Sequence, residues 1–179
     1  MKSLTTYITE KMVYNKNSVN KAKYKYFPET KEELKELLVQ LIEERGNDGD
    51  FNDIDTSEIT DMTRLFFKMG KFNGDISKWD VSNVKNMSQM FDECRNFNQP
   101  LNDWDVSEVT NMDSMFFECD SFNQPLNNWN ICNVKTMKYM FQYCTSFNQN
   151  LSDWDVSNKS AWYMFEKCPI EEKHKPKFK

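Results

Sequence analysis

Histidine is almost missing from this chain of 179 residues: the single one, His174, lies near the C-terminus. A histidine-based catalytic triad in the body of the chain is thereby excluded. Glycine is nearly as scarce, at four residues, all of them before residue 75. That removes glycine-rich phosphate loops, and the glycine-rich turns of calcium-binding repeats, from everything downstream. No apolar run approaches the ~20 residues of a membrane span. The opening segment MKSLTTYITEK has no continuous apolar core of a secretory signal. The expected location is the reducing cytoplasm, with the cell surface reserved for a chain whose leader has been removed. Basic charge is short where it would matter for nucleic acid: residues 51–168 hold seventeen acids against ten bases. Phosphate binding needs a cationic field, so direct nucleic-acid binding is not expected there.

What the chain has instead is repetition. FNGDISKWDVSNV begins at Phe72, FNQPLNDWDVSEV at Phe97, FNQPLNNWNICNV at Phe122 and FNQNLSDWDVSN at Phe147, a spacing of 25. A period of that length is the mark of stacked repeats, in which one unit cannot bury its own apolar face and neighbours share it. Val109, Met112, Met115, Phe116 and Cys119 fall three or four apart, the stripe of a short helix. Leu101, Trp104 and Val106 read as a short strand, with Trp104 and Val106 on one face. The fold class expected is an α/β repeat solenoid, leucine-rich-repeat-like, with one short parallel strand and one short helix per coil.

Stacking turns recurrent residues into ladders. Phe97, Phe122 and Phe147 form one, and Trp79, Trp104, Trp129 and Trp154 another; the strand phase places the tryptophans in the core rather than on a sugar-stacking platform. Asn98, Asn123 and Asn148 stand where a coil leaves backbone groups unpaired, so their amides are expected to satisfy them, with ligand binding as the lesser reading. Cys94, Cys119, Cys144 and Cys168 share a position that holds Met69 one unit earlier. A site that accepts either Cys or Met is apolar, which favours buried thiols over disulfides or metal ligation. No metal site and no cofactor are expected.

The segments VTNMDSMFFECDSF and VKTMKYMFQYCTSF resemble the repeat core of BspA-type leucine-rich repeat proteins. The Trp-Asp-Val-Ser form is similar to that of mycoplasma surface lipoproteins and of short phage-encoded or gut-bacterial members. The resemblance covers roughly residues 50–168 and implies a curved binding solenoid with no catalytic residues. The last unit, VSNKSAWYMFEKC, is one residue short, which puts its helix out of phase as a terminal coil.

Four segments follow: a basic arm or edge strand (1–27), an amphipathic capping helix (28–49), the solenoid of about four or five coils (50–168) and a basic tail (169–179). Thr30 and Glu33 make a capping box before the stripe Leu34, Leu37, Leu38, Leu41 and Ile42. That helix covers the first coil or, alternatively, binds a partner. The lysine–tyrosine mixture of the arm keeps single-stranded nucleic acid open as a lesser reading.

The strand positions that alternate with the ladders are Lys78, Asp80, Asp103, Asp105, Asn128, Asn130, Asp153 and Asp155. Side by side they would form an acidic concave face, read either as solvated residues capping the next helix or as a surface for a basic protein patch. A calcium array is broken by Asn130. Phe117, Tyr139 and Tyr143, on the expected helical side, are a rival site, since aromatic residues carry much interface energy. The function expected is a non-catalytic protein-interaction module with no small-molecule substrate. The resemblance suggests a phage or symbiont effector acting on a host protein. The alternatives are a nucleic-acid mimic and a surface or structural adhesion element.

Overall fold

The computed structural model describes residues 23–178. Most of the expected basic arm, through residue 22, lies outside the described residues. Its end, Tyr26, makes a single parallel bridge to Ile54. Among the described residues there is one α-helix, α1 (Lys31–Arg45), a short 3₁₀ turn at Glu172–His174, and no β-strand. The expected α/β repeat solenoid, with a strand and a helix in each coil, is therefore overturned.

The reason lies in the spacing of three within the expected helical stripe. It is the span of a β-turn, whose first carbonyl accepts the N–H three residues on. Met90 N–H donates to Met87 C=O (3.2 Å), Cys94 to Phe91 (2.9 Å) and Phe97 to Cys94 (3.1 Å). Where a strand was expected, Trp104 donates to Leu101 (3.1 Å) and Val109 to Val106 (3.0 Å). The ends of each of these turns are apolar and buried, so the coil is a chain of turns with polar residues at their tips.

A helix would close its hydrogen bonds within the coil; these turns send half of theirs to the next one. Met87, Gln89, Phe91 and Glu93 donate to the carbonyls of Asn111, Asp113, Met115 and Phe117 at 2.8–2.9 Å. The same pattern runs from Met62 through Tyr143. Parallel bridges join Asp61 to Asn86, Asn86 to Asn111, Asn111 to Thr136 and Thr136 to Ser160, each isolated because turns interrupt the ladder on both sides. The cost is conformational. Ten of the described non-glycine residues, two per coil, sit at φ between 53° and 63°, each at roughly 1–2 kcal/mol for an L-residue. Inter-coil hydrogen bonds and the core offset it.

That core is one continuous apolar cluster from Tyr26 to Ile170. Two phenylalanine columns run through it. Phe66, Phe91, Phe116, Phe141 and Phe165 stack at 5.4–5.6 Å, and Phe72, Phe97, Phe122 and Phe147 at 5.9–6.0 Å. The columns meet at 4.2 Å, as between Phe116 and Phe122. Gly74 stands where the later coils carry Gln or Pro-preceding Gln because a Cβ there would come within 2.3 Å of the Phe51 ring.

The first coil is covered by α1. Thr30 Oγ1 accepts the Glu33 N–H (3.2 Å), Glu33 Oε2 accepts the Glu29 N–H (2.9 Å), and Gly46 ends the helix at φ 79°. Leu34, Leu37, Leu38 and Leu41 face the core. Arg45 forks onto Asp53 (2.7 and 2.9 Å) and Lys31 pairs with Asp61 (2.7 Å), holding both ends of α1 to the stack. The missing residue of the last unit does not shift its phase. It is absorbed between Val156 and Ala161, and Phe165 still stacks on Phe141 at 5.6 Å, 2° from parallel. At the far end the tail docks back, with Leu151 N–H donating to His174 C=O (2.8 Å).

Candidate functional site

Each ladder residue sits in the interior or at a coil junction. The Asn98 N–H donates to Asn73 Oδ1, Asn123 to Asn98 and Asn148 to Asn123, all at 2.9–3.0 Å. Glu171 N–H closes the series on Asn148 Oδ1 (2.9 Å). The indole N–H groups of Trp79, Trp104 and Trp129 donate to Phe51, Ile76 and Leu101 carbonyls; that of Trp154 is buried without a partner. The four tryptophans are at most 4% exposed, which withdraws them as a stacking platform. Cys94, Cys119 and Cys144 donate to the carbonyls of Phe66, Phe91 and Phe116 (2.8–2.9 Å), and Cys168 to Phe147 (3.5 Å). Burial pushes the Cys94 thiol up to about 12 and Cys168 to about 11. Such thiols are poor nucleophiles and poor ligands.

The eight residues assigned to a strand face lie at the surface, but in turns. Asp80, Asp105 and Asp155 each accept the N–H of the serine two residues on (3.0 Å), and Asn130 that of Cys132 (3.2 Å). These are Asx-turns, which close the loop itself rather than cap a following helix. Ser107, through its hydroxyl and its N–H, holds the Asp105 carboxyl below the usual range. Lys78 and Asn128 donate their N–H groups to Asn52 and Asn102 of the preceding coil. Asp103 and Asp153 are exposed. A groove of about 370 Å³ on this side is lined by Asn130, Cys132, Asp153, Asp155 and Lys159 over Trp129 and Trp154. Without paired strands there is no concave sheet to unite the eight. Among the described residues, no three His, Cys, Asp or Glu side chains converge to hold a metal ion.

The opposite character belongs to the face built by the Met-Phe-Cys turns. Its outward columns carry the residues with positive φ: Arg64, Gln89, Ser114, Tyr139 and Tyr163 in one, Lys68, Glu93, Glu118, Tyr143 and Lys167 in the other. Between them runs Phe67, Asp92, Phe117, Gln142 and Glu166. Aromatic rings gather toward the C-terminal coils. Tyr139 stacks on Tyr163 at 5.7 Å, and Phe117 meets the Tyr143 edge at 5.7 Å. Trp162 is 70% exposed and Tyr163 58%. The rival residues Phe117, Tyr139 and Tyr143 are thus brought together.

On this face a second groove of about 370 Å³ runs along Phe67, Asp92, Phe117, Tyr139 and Gln142. Asp92, 5% exposed, lies on it; burial raises its carboxyl above the ordinary range, against the Gln89 hydrogen bond. Sequence reasoning missed Asp92. The signal was there, as the one carboxylate between two phenylalanines in the column Phe67, Asp92, Phe117.

The ladders and turns define a tandem-repeat protein with two unequal faces. A family model described as "Mycoplasma protein of unknown function, DUF285" matches residues 33–137 and again 60–177. The chain belongs to that family, which at this level sits with the BspA-like repeat proteins. No curated protein and no solved structure matches it. No helix among the described residues is long and apolar enough to cross a membrane.

Proposed function

We propose that the chain is a non-catalytic protein-binding module that engages its partner through the turn face rather than the acidic side. The observation that carries this reading is the exposed aromatic group of Tyr139, Tyr143, Trp162 and Tyr163, where most other rings among the described residues are interior. Interfaces concentrate energy in Trp and Tyr, and rigid placement lowers the entropy lost on binding. Every inter-coil hydrogen bond under Tyr139 and Tyr143 is made (3.0 Å each), so these rings ride on a fixed backbone. Asp80, Asp105 and Asp155 of the other side are engaged in their own turns, which weakens their claim. Cysteines without disulfides suit a reducing compartment.

The finer resemblance to short phage-encoded and gut-bacterial proteins makes a bacterial protein the partner to seek. The test is capture from bacterial lysate, identification of the captured protein, and reconstitution of the pair from purified components. A Tyr139→Ala/Tyr143→Ala/Trp162→Ala variant should lose the reconstituted complex. Asp103→Lys/Asp105→Lys/Asp155→Lys should keep it. The reverse result returns the site to the acidic side, and no binary complex from either removes the reading.

A further inference from the structure

Phe67 and Phe117 occupy the same place two coils apart, and their surroundings differ in one respect. The guanidinium of Arg64 lies 4.9 Å from the centre of the Phe67 ring, and the Lys68 ammonium 5.2 Å from it. At Phe117 the corresponding residues are Ser114 and Glu118, and among the described residues no cation lies over that ring. The Phe67 site is filled by the chain's own cations; the Phe117 site has the ring without them.

Between the two rings sits Asp92. Its Oδ2 accepts the Gln89 amide (2.8 Å), and no ion pair or other hydrogen bond is made by its carboxylate among the described residues. The neighbouring acids differ: Glu93 pairs with Lys68 (3.2 Å), and Glu118 with Arg95 (2.5 Å). A carboxylate nine-tenths buried and without a direct ion pair is costly, and a cation supplied from outside relieves it. The groove that reaches it is large enough for one long side chain and is walled by Phe67, Phe117 and Tyr139.

We propose that this groove is a slot for an arginine side chain of the partner protein, which pairs with Asp92 and lies over the Phe117 ring. Guanidinium fits better than ammonium because it is planar, stacks on an aromatic face and can present two parallel N–H donors to a carboxylate. Arg64 over Phe67 is the stacking half of that arrangement made within the chain. The inference rests on the turn face being the binding surface, and names what that surface reads. The groups facing Asp92 are Gln89, Glu93, Glu118 and Lys68; both glutamates are paired within the chain, so Asp92 is the acid there left for an incoming cation.

The experiment is an NMR titration of the full chain with two blocked tripeptides, acetyl-Gly-Arg-Gly-amide and its citrulline counterpart, which keeps the shape and lacks the charge. The arginine peptide should shift the backbone signals of Gln89, Asp92, Ser114 and Gln142, and the citrulline peptide should bind at least about tenfold more weakly, the ratio expected for one charge-assisted pair. Asp92→Asn should lose the same factor while melting no lower than the wild type. Ser114→Arg recreates the Arg64 position one ring further on, at a residue whose φ of 55° matches the 58° of Arg64. It should fill the slot from within and abolish peptide binding in a folded protein. Equal response to the two peptides, shifts confined to another face, or undiminished binding by Asp92→Asn overturns the proposal. Loss of the partner complex in the tyrosine variant but not in Asp92→Asn removes the slot and leaves the face; retention in both removes the face itself.

Discussion

Replacing Asn98 by alanine and by aspartate separates what its side chain accepts from what it merely fills. Asn98 Oδ1 receives the Asn123 N–H (2.9 Å) and the Gln124 side-chain amide (3.1 Å), and both bonds join neighbouring coils. Alanine removes the acceptor and leaves a backbone N–H at a coil junction to water. Asn123 is exposed, so solvent replaces part of the loss; two hydrogen bonds at about 0.5–1.5 kcal/mol each give a destabilisation of about 1–2 kcal/mol. Aspartate keeps an oxygen in the same place, and the Asn98 N–H still donates to Asn73 (2.9 Å). Asn98→Asp should therefore recover most of the loss. Urea unfolding followed by tryptophan fluorescence measures both, because the buried Trp104 and Trp129 stand in the coils that the bond joins. An Asn98→Ala midpoint equal to wild type, or an Asn98→Asp midpoint as low as that of alanine, would refute the ladder as an acceptor device.

The Phe116 ring touches Phe91, Phe122 and Phe141, so Phe116→Ala should cost about 3–5 kcal/mol in the same assay. Ser114, at φ 55°, should tolerate glycine with no loss of stability, whereas Ser114→Val should cost about 1–3 kcal/mol. With a thiol reagent at neutral pH, the native chain should react quickly at exposed Cys132 and slowly at Cys94, Cys119 and Cys144, and all five cysteines should react after unfolding. Asp92 is raised in the fold by burial, so its contribution to stability is present below the ordinary carboxylate range and lost as pH rises through its folded value. Asp92→Asn should accordingly be more stable than wild type at neutral pH, with the advantage shrinking as pH falls through that window; a constant difference across pH denies the raised value.

Much of the interior was legible in the sequence because ladders depend only on period. Any stack with a repeat of 25 brings Phe97 near Phe122 and Asn98 near Asn123, whatever the backbone does between them. The capping helix was legible for a different reason: Thr30, Glu33 and the leucine stripe are local signals, and the helix is long enough at 15 residues to obey them. Local conformation inside the coil was not legible. Val109, Met112 and Met115 at intervals of three suit a helix face, and they suit consecutive turns equally well. Composition would have separated the two had the turn tips carried glycine or asparagine, the residues that favour positive φ. Here those tips are Gln89, Glu93, Ser114, Glu118, Tyr139 and Tyr143, and the left-handed backbone is held by hydrogen bonds from the neighbouring coil, which no single unit contains.

The same fact governs where recognition can lie. In a β-sheet, outward side chains alternate with inward ones and a row of like positions makes a continuous face; that logic put Asp103, Asp105, Asp153 and Asp155 together. In a coil of turns, each tip presents two adjacent outward residues, and their use is decided turn by turn. The Asp-Val-Ser tips turn their carboxylates back onto their own N–H groups, so charge there is consumed in holding the loop. The Met-Phe-Cys tips are tied by backbone bonds to the neighbouring coil, and their outward side chains bond to one another, as Arg64 to Gln89, Gln89 to Asp92 and Lys68 to Glu93. These columns vary from coil to coil: Arg, Gln, Ser and two Tyr fill one, and Phe, Asp, Phe, Gln and Glu the next. A column whose residue changes from coil to coil is where a repeat protein can carry a binding surface, and in the middle column Asp92 is the carboxylate set between the rings of Phe67 and Phe117.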